Sequence, residues 1–133
     1  MNYLRPEQLL FIHYRLVEEI GGEHGVRDLA ALQAALARPQ ASFDGQELYP
    51  NTWWKCAALF DSLLRNGPAA NNHGLALAAA SLFLQLNGYR LIMEVEEVIA
   101  FTRTCARQRT PLSESALWFE RHARSIASPP SPG

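Results

Sequence analysis

Lysine is almost missing from this 133-residue chain: of its twelve cations only Lys55 is lysine and the rest are arginine. Codon bias explains that skew as readily as chemistry, and no function follows from it. An excess of one charge is missing too. The net charge is −1 and the pI is near 6.4, which excludes the broadly basic surface of a general nucleic-acid binder, though not a local patch. Cysteine is scarce. Cys56 and Cys105 sit far apart in apolar helical contexts, with no CxxC metal spacing and no disulfide framework. Two buried thiols in a reducing compartment is the plainer reading. The start, MNYLRPEQ, has no basic stretch followed by an apolar run, so no signal peptide is expected. The longest weakly polar run, Leu75 to Leu86, is too short to span a bilayer and contains Ser81 and Gln85. No internal repeat is present. These absences leave a soluble, cytoplasmic protein. Its 48% hydrophobic content is enough for one core without disulfides or a metal.

What is present reads as helix. Pro6 suits a first helical turn, and Leu9, His13, Leu16, Val17 and Ile20 share one face until Gly21-Gly22. Leu29, Leu32, Ala35 and Leu36 form a second stripe that stops before Pro39. Residues 39–50, with Pro39, Gly45 and Pro50, read as a loop in which Ala41 to Phe43 can be extended. A third helix is expected from about Asn51 to Asn66, with Trp54, Ala57, Ala58, Leu59 and Leu63 inward. Leu75 to Leu86 is apolar nearly all round, which predicts a central helix covered by the others, closed by Asn87-Gly88. A fifth helix spans roughly Val95 to Arg107. A sixth runs from near Ser113 to near Ile126, with Ala116, Leu117, Phe119 and Ala123 inward. The pattern gives an all-α domain of about six helices over residues 1–126, with Tyr89 to Met93 the only candidate short strand. The Pro/Ser segment 127–133 is expected to be a disordered tail.

The stretch between the third and fourth helices, Asn66 to Gly74, carries the most chemical information. A small-residue loop entering a buried helix can offer backbone N–H groups to an anion, aided by the helix dipole. On spacing alone the plainer reading is a solvent-exposed turn, because Gly, Pro and Asn are the commonest turn residues. The anion candidates are Asn71, Asn72, His73 and Gly74.

The flanking blocks weigh on that choice. Gly25-Val26-Arg27-Asp28-Leu29, then Ala35 to Ala41, then Leu48-Tyr49-Pro50 leading into Trp54 to Leu59, occur in that order. After the loop come Ala78 to Leu86 and Asn87-Gly88-Tyr89. Together these blocks resemble the death-on-curing (Doc) branch of the Fic/Doc family, collinear from about Tyr3 to Arg124. The resemblance implies a single helical domain whose loop pattern is His-x-Phe-x-(Asp/Glu)-Gly-Asn-Lys-Arg. There the His would take a proton from a protein hydroxyl. The acidic residue would hold Mg²⁺ on ATP, and the Asn, Lys and Arg would cradle and neutralise phosphate. The family's chemistry is transfer of AMP, or in death-on-curing toxins of phosphate, onto a protein such as a translation factor. The partner implied is an antitoxin whose disordered segment folds into a groove. The flap contacts implied are Phe43, Leu48 and Tyr49. No membrane partner and no direct nucleic-acid contact are expected.

The loop departs from the pattern where it matters. The motif His position falls on Gly67, or on Asn66 when aligned from the downstream helix. In either register the motif His, Phe, acid, Lys and Arg are absent. No Lys or Arg lies between Arg65 and Arg90, and no Asp or Glu between Asp61 and Glu94. That leaves three readings: a pseudo-enzyme keeping fold and groove, a transferase working through an altered site, or a helical interaction module. ATP and Mg²⁺ are expected only under the second, where His73 would be a displaced base; otherwise His73 is a polar helix-start residue. His13 reads as a hydrogen-bonded core residue, His24 as part of a Gly-rich turn and His122 as part of a solvated face. No metal site is expected, since no two His share metal-ligand spacing on a helix. Trp54 fits the core, and Trp53 is expected against the 39–50 loop or a partner.

Overall fold

Local capping chemistry sets where the first three helices begin. The computed structural model describes residues 1–21, 25, 28–67 and 72–126. His24, Asn71 and the 127–133 tail lie outside the described residues. Helix α1 (Pro6–Ile20) opens on Pro6, whose missing N–H costs nothing there, and the Arg5 N–H donates to Gln8 Oε1 at 2.8 Å. It stops at Gly21, whose φ of 89° lies in the left-handed region that a side chain disfavours. Asp28 Oδ1 accepts from the Ala31 N–H at 3.0 Å and caps α2 (Leu29–Ala37). A short 3₁₀ turn, Arg38–Gln40, follows. Asn51 Oδ1 accepts from the Trp54 N–H at 3.0 Å and caps α3 (Thr52–Asn66).

Helices α3 and α4 (Asn72–Leu86) form the centre. Every residue from Lys55 to Phe60 is buried, as are Leu75, Ala76, Ala79, Ala80, Phe83 and Leu84. Small residues on both, Cys56, Ala57 and Ala58 against Ala76, Ala79 and Ala80, suit a close pair. The Cys56 Sγ lies 3.8 Å from the Ala80 carbonyl oxygen. Helix α5 (Val95–Arg107) and α6 (Leu112–His122) close the far side through stacked aromatics. Phe101 and Trp118 lie 3.8 Å apart and nearly parallel, and Phe119 meets Phe60 edge-on at 5.4 Å. Asn87 ends α4 and also ties down the N-terminus. Its Oδ1 accepts from the Asn2 N–H, and its Nδ2 donates to the Asn2 carbonyl, both at 2.8 Å.

The mostly helical architecture is the one the sequence implies, with four differences. Helix α6 ends at His122 rather than near Ile126. Residues Ala123–Ser125 form a strand, β4, antiparallel to β3 (Tyr89–Leu91), with Arg90 opposite Arg124. Nothing local breaks the helix there. The Ile92 N–H donates to the His122 carbonyl and the Ile126 N–H to the Gly88 carbonyl, both at 2.8 Å, so partners distant in sequence capture the chain. Second, Ile20, Leu29 and Leu117 are exposed, because the first two sit at helix ends and α6 buries Ser115, Ala116 and Phe119 instead. Third, Trp53 packs on Tyr89, with ring centroids 4.7 Å apart, a neighbour outside the 39–50 loop. Fourth, His122 is half-buried rather than solvated. It stacks on Trp118 at 4.1 Å, and Nε2 lies 3.0 Å from Glu97 Oε2. Both cysteines are buried and free, and His13 is buried. Among the described residues no helix is long and apolar enough to cross a membrane.

Candidate functional site

Two structures frame the site: the junction of α3 with α4, and a hairpin that precedes α3. At the junction, Asn66 is the last residue of α3 and is exposed, and Gly67 leaves it in an extended conformation. A Cβ placed on Gly67 would collide with the Asn72 side chain and with the Leu63 carbonyl oxygen. The side chain of Asn72 can move, but the carbonyl belongs to helix backbone. Position 67 is therefore shaped for glycine.

Beyond the undescribed Pro68 to Asn71, α4 begins at Asn72, with His73 exposed and Gly74 half-buried. His73 and Gly74 open onto a cavity of about 250 Å³ whose other walls are Leu77 from α4 and Val98, Ile99, Thr102 and Arg103 from α5. Thr102 is buried, and its Oγ1 has no hydrogen-bond partner. Arg103 supplies a cation beside a loop that has none of its own. Sequence spacing could not reveal either residue, because they reach the loop only through the packing of α5 on α4. On the other side, Asn66 lines a second cavity of about 230 Å³ with Ala31, Ala34, Ala35, Arg38 and Ser62.

The hairpin consists of β1 (Ser42–Phe43) and β2 (Gln46–Glu47) joined by Asp44-Gly45. Both turn residues have positive φ, 52° and 77°, the geometry of a tight hairpin turn whose twist matches its strands. Phe43 is 71% exposed and Leu48 52% exposed, so both present apolar surface to solvent. Tyr49 is half-buried, and its hydroxyl accepts from Arg38 Nε at 3.1 Å. None of the three lines either cavity at the junction.

The hairpin is held from below by a residue whose role its type does not announce. Lys55 is 2% exposed, and its Nζ donates to the Pro39 carbonyl and to Glu47 Oε1, each at 3.1 Å. Arg38 donates to Asp61 Oδ2 at 2.8 Å and to Ser62 Oγ at 3.1 Å, and Asp61 Oδ1 accepts from Arg65 Nε at 2.7 Å. Burial by itself lowers the pKa of Arg38, but the bonds to Asp61 and Tyr49 outweigh it and the net shift is upward. These charges belong to packing rather than to a reaction centre. Burial pushes the Cys56 thiol well up, and it pushes Cys105 up less because Thr110 and Ser115 hydrogen-bond it. Both thiols are inert at neutral pH. Among the described residues no cluster of three His, Cys, Asp or Glu could hold a metal ion.

A family profile described as the Fic/DOC family matches residues 3–84, from the N-terminal segment through most of α4. It stops short of the Arg124 limit suggested by the sequence blocks. A protein named Toxin Doc from Mycolicibacterium smegmatis (strain ATCC 700084 / mc(2)155) is 47% identical over 77 residues, which are 57% of this chain. The chain spans 59% of that relative's length. With the profile covering more than half of the residues, on a helical scaffold whose α3–α4 junction holds the loop, the chain belongs to the Fic/DOC family.

Proposed function

We propose that this protein is a Doc-like member of a toxin–antitoxin system whose transfer chemistry is impaired while its protein-binding surfaces persist. The observation that carries the reading is Gly67. It stands at the position of the family's general base and has no room for a side chain. The alternative register puts Asn66 there, an amide that cannot take a proton. Loss of a general base alone costs roughly 10²–10⁴-fold in rate. Without the motif acid, Lys and Arg, neither Mg²⁺ nor a triphosphate has its usual counter-charges. The partners proposed are an antitoxin segment, bound by packed helices, and a translation-factor target, met by Phe43 and Leu48 of the hairpin.

One observation favours a second reading, an active transferase through an altered site. His73 and Arg103 line the same cavity, so a displaced base and a displaced cation face one space. Titration with ATP–Mg²⁺ followed by nuclear magnetic resonance separates the two. Under the proposal the signals of His73, Leu77 and Arg103 stay in place at millimolar nucleotide. Saturable shifts at all three would favour the altered site.

A further inference from the structure

Arg90 and Arg124 stand directly opposite each other in the β3–β4 ladder. Opposed residues share a face of a ribbon, and here that face is outward, since Leu91 and its partner Ala123 turn towards the core. Like charges placed opposite one another cost stability. Arg121, in the last turn of α6, adds a third cation to the same surface.

Among the described residues none of these three arginines pairs with a carboxylate. Arg124 Nη1 instead donates to the carbonyl oxygens of Arg121 at 3.1 Å and Ala123 at 2.9 Å, which fixes its guanidinium in place. Of the two acids nearby, Glu97 is engaged by His122, and Glu94 and Glu97 both line an adjoining cavity with Arg121 and Arg124, without pairing with either arginine. A cavity of about 200 Å³ lies between Arg90 and Arg124, with Ile92, Ser125 and Ile126 as its remaining walls.

We propose that this ribbon is a binding site for a phosphate monoester, unconnected with the α3–α4 loop and independent of the function proposed above. Two arginines on one face of the ribbon, both lining this cavity, carry two positive charges, which a dianion balances and a single carboxylate does not. Planar guanidinium forks also suit phosphate oxygens. Ile92 and Ile126 are 55% and 45% exposed at the flanks and offer contact to the ester's apolar part. Bound phosphate offsets the cross-strand repulsion between Arg90 and Arg124.

Phenyl phosphate is the probe, compared with inorganic phosphate and with chloride at equal ionic strength, and read by thermal midpoint and by arginine side-chain resonances. Phenyl phosphate raises the midpoint above chloride and by more than inorganic phosphate does, and it shifts the Arg90 and Arg124 signals. Arg90→Gln weakens binding by at least ~10-fold, and Arg90→Lys, which keeps the charge but not the fork, falls between. Without ligand, Arg90→Gln is as stable as wild type or more so, because a repulsion has been removed. Glycerol 3-phosphate, AMP and O-phosphoserine, titrated in parallel, identify the source of the ester by rank of affinity. Equal midpoints in phenyl phosphate and chloride would overturn the proposal. So would a ligand-free Arg90→Gln protein less stable than wild type, which marks a structural arginine. Shifts at His73 and Arg103 in place of Arg90 and Arg124 would overturn it as well.

Discussion

At the scale of single residues, Gly67 decides more than any side chain present. In the register that sets Gly67 at the motif His position, a histidine there restores the letter of the motif, but the Leu63 carbonyl oxygen occupies the space a Cβ needs. Gly67→His is therefore expected to destabilise the fold by about 1–3 kcal/mol, as overpacking does, and to leave transfer activity unrestored. A denaturant melt beside an activity assay checks both halves. Cys56 yields a prediction of opposite character. Its thiol pKa is raised by burial in the folded state, so above the ordinary thiol value the unfolded chain has lost a proton that the folded chain keeps. Stability from this group is complete below about pH 8.5 and falls by about 1.4 kcal/mol per pH unit as pH rises beyond it. Cys56→Ala should flatten that alkaline decline relative to wild type in urea titrations from pH 7 to pH 10. An unchanged slope would mean that Cys56 does not contribute to it.

At the scale of elements, the hairpin and its buried anchor separate two kinds of binding. Phe43 is exposed and touches no core residue, so Phe43→Ala is expected to change stability by less than ~0.5 kcal/mol. It should weaken docking of a protein target more than binding of an antitoxin peptide. A helix in a groove draws on several buried anchors, whereas a hairpin tip rests on one or two. Parallel titrations of a labelled antitoxin peptide and of the target segment against wild type and variant measure the difference. Elements governed by local pattern were legible in the sequence. The stripes of α1 and α2, the start of α3 near Asn51 and the span Val95–Arg107 follow from spacing and end signals. The hairpin was half legible. Asp44-Gly45 is a strong turn signal, but strands of two residues are too short to show alternation. Strand β4 was not legible, because Ala123–Ser125 continue a helical pattern and only pairing with β3 redirects them. Thr102 and Arg103 escaped for a related reason: a cavity wall assembled from two helices leaves no mark in the spacing of either.

At the scale of the molecule, the central α3–α4 pair forms the centre of the scaffold. Asn66, Gly67, His73 and Gly74 contribute no large apolar side chain to the core, whereas Lys55 to Phe60 and Leu75 to Leu84 supply most of its centre. Circular dichroism should accordingly show a mainly helical protein that melts in one cooperative transition. Under the proposed function, a family scaffold is kept while the loop lacks the motif base, acid and cations. Transfer of label from ATP tests that account most directly. The purified protein is incubated with [α-³²P]- and [γ-³²P]ATP, Mg²⁺ and a translation factor, beside a family member carrying the intact motif. The account predicts label on the factor with the intact-motif protein and none with this one, for either isotope position. Label transferred by this protein and abolished by His73→Ala would contradict it, and would make His73 the working base of an altered site.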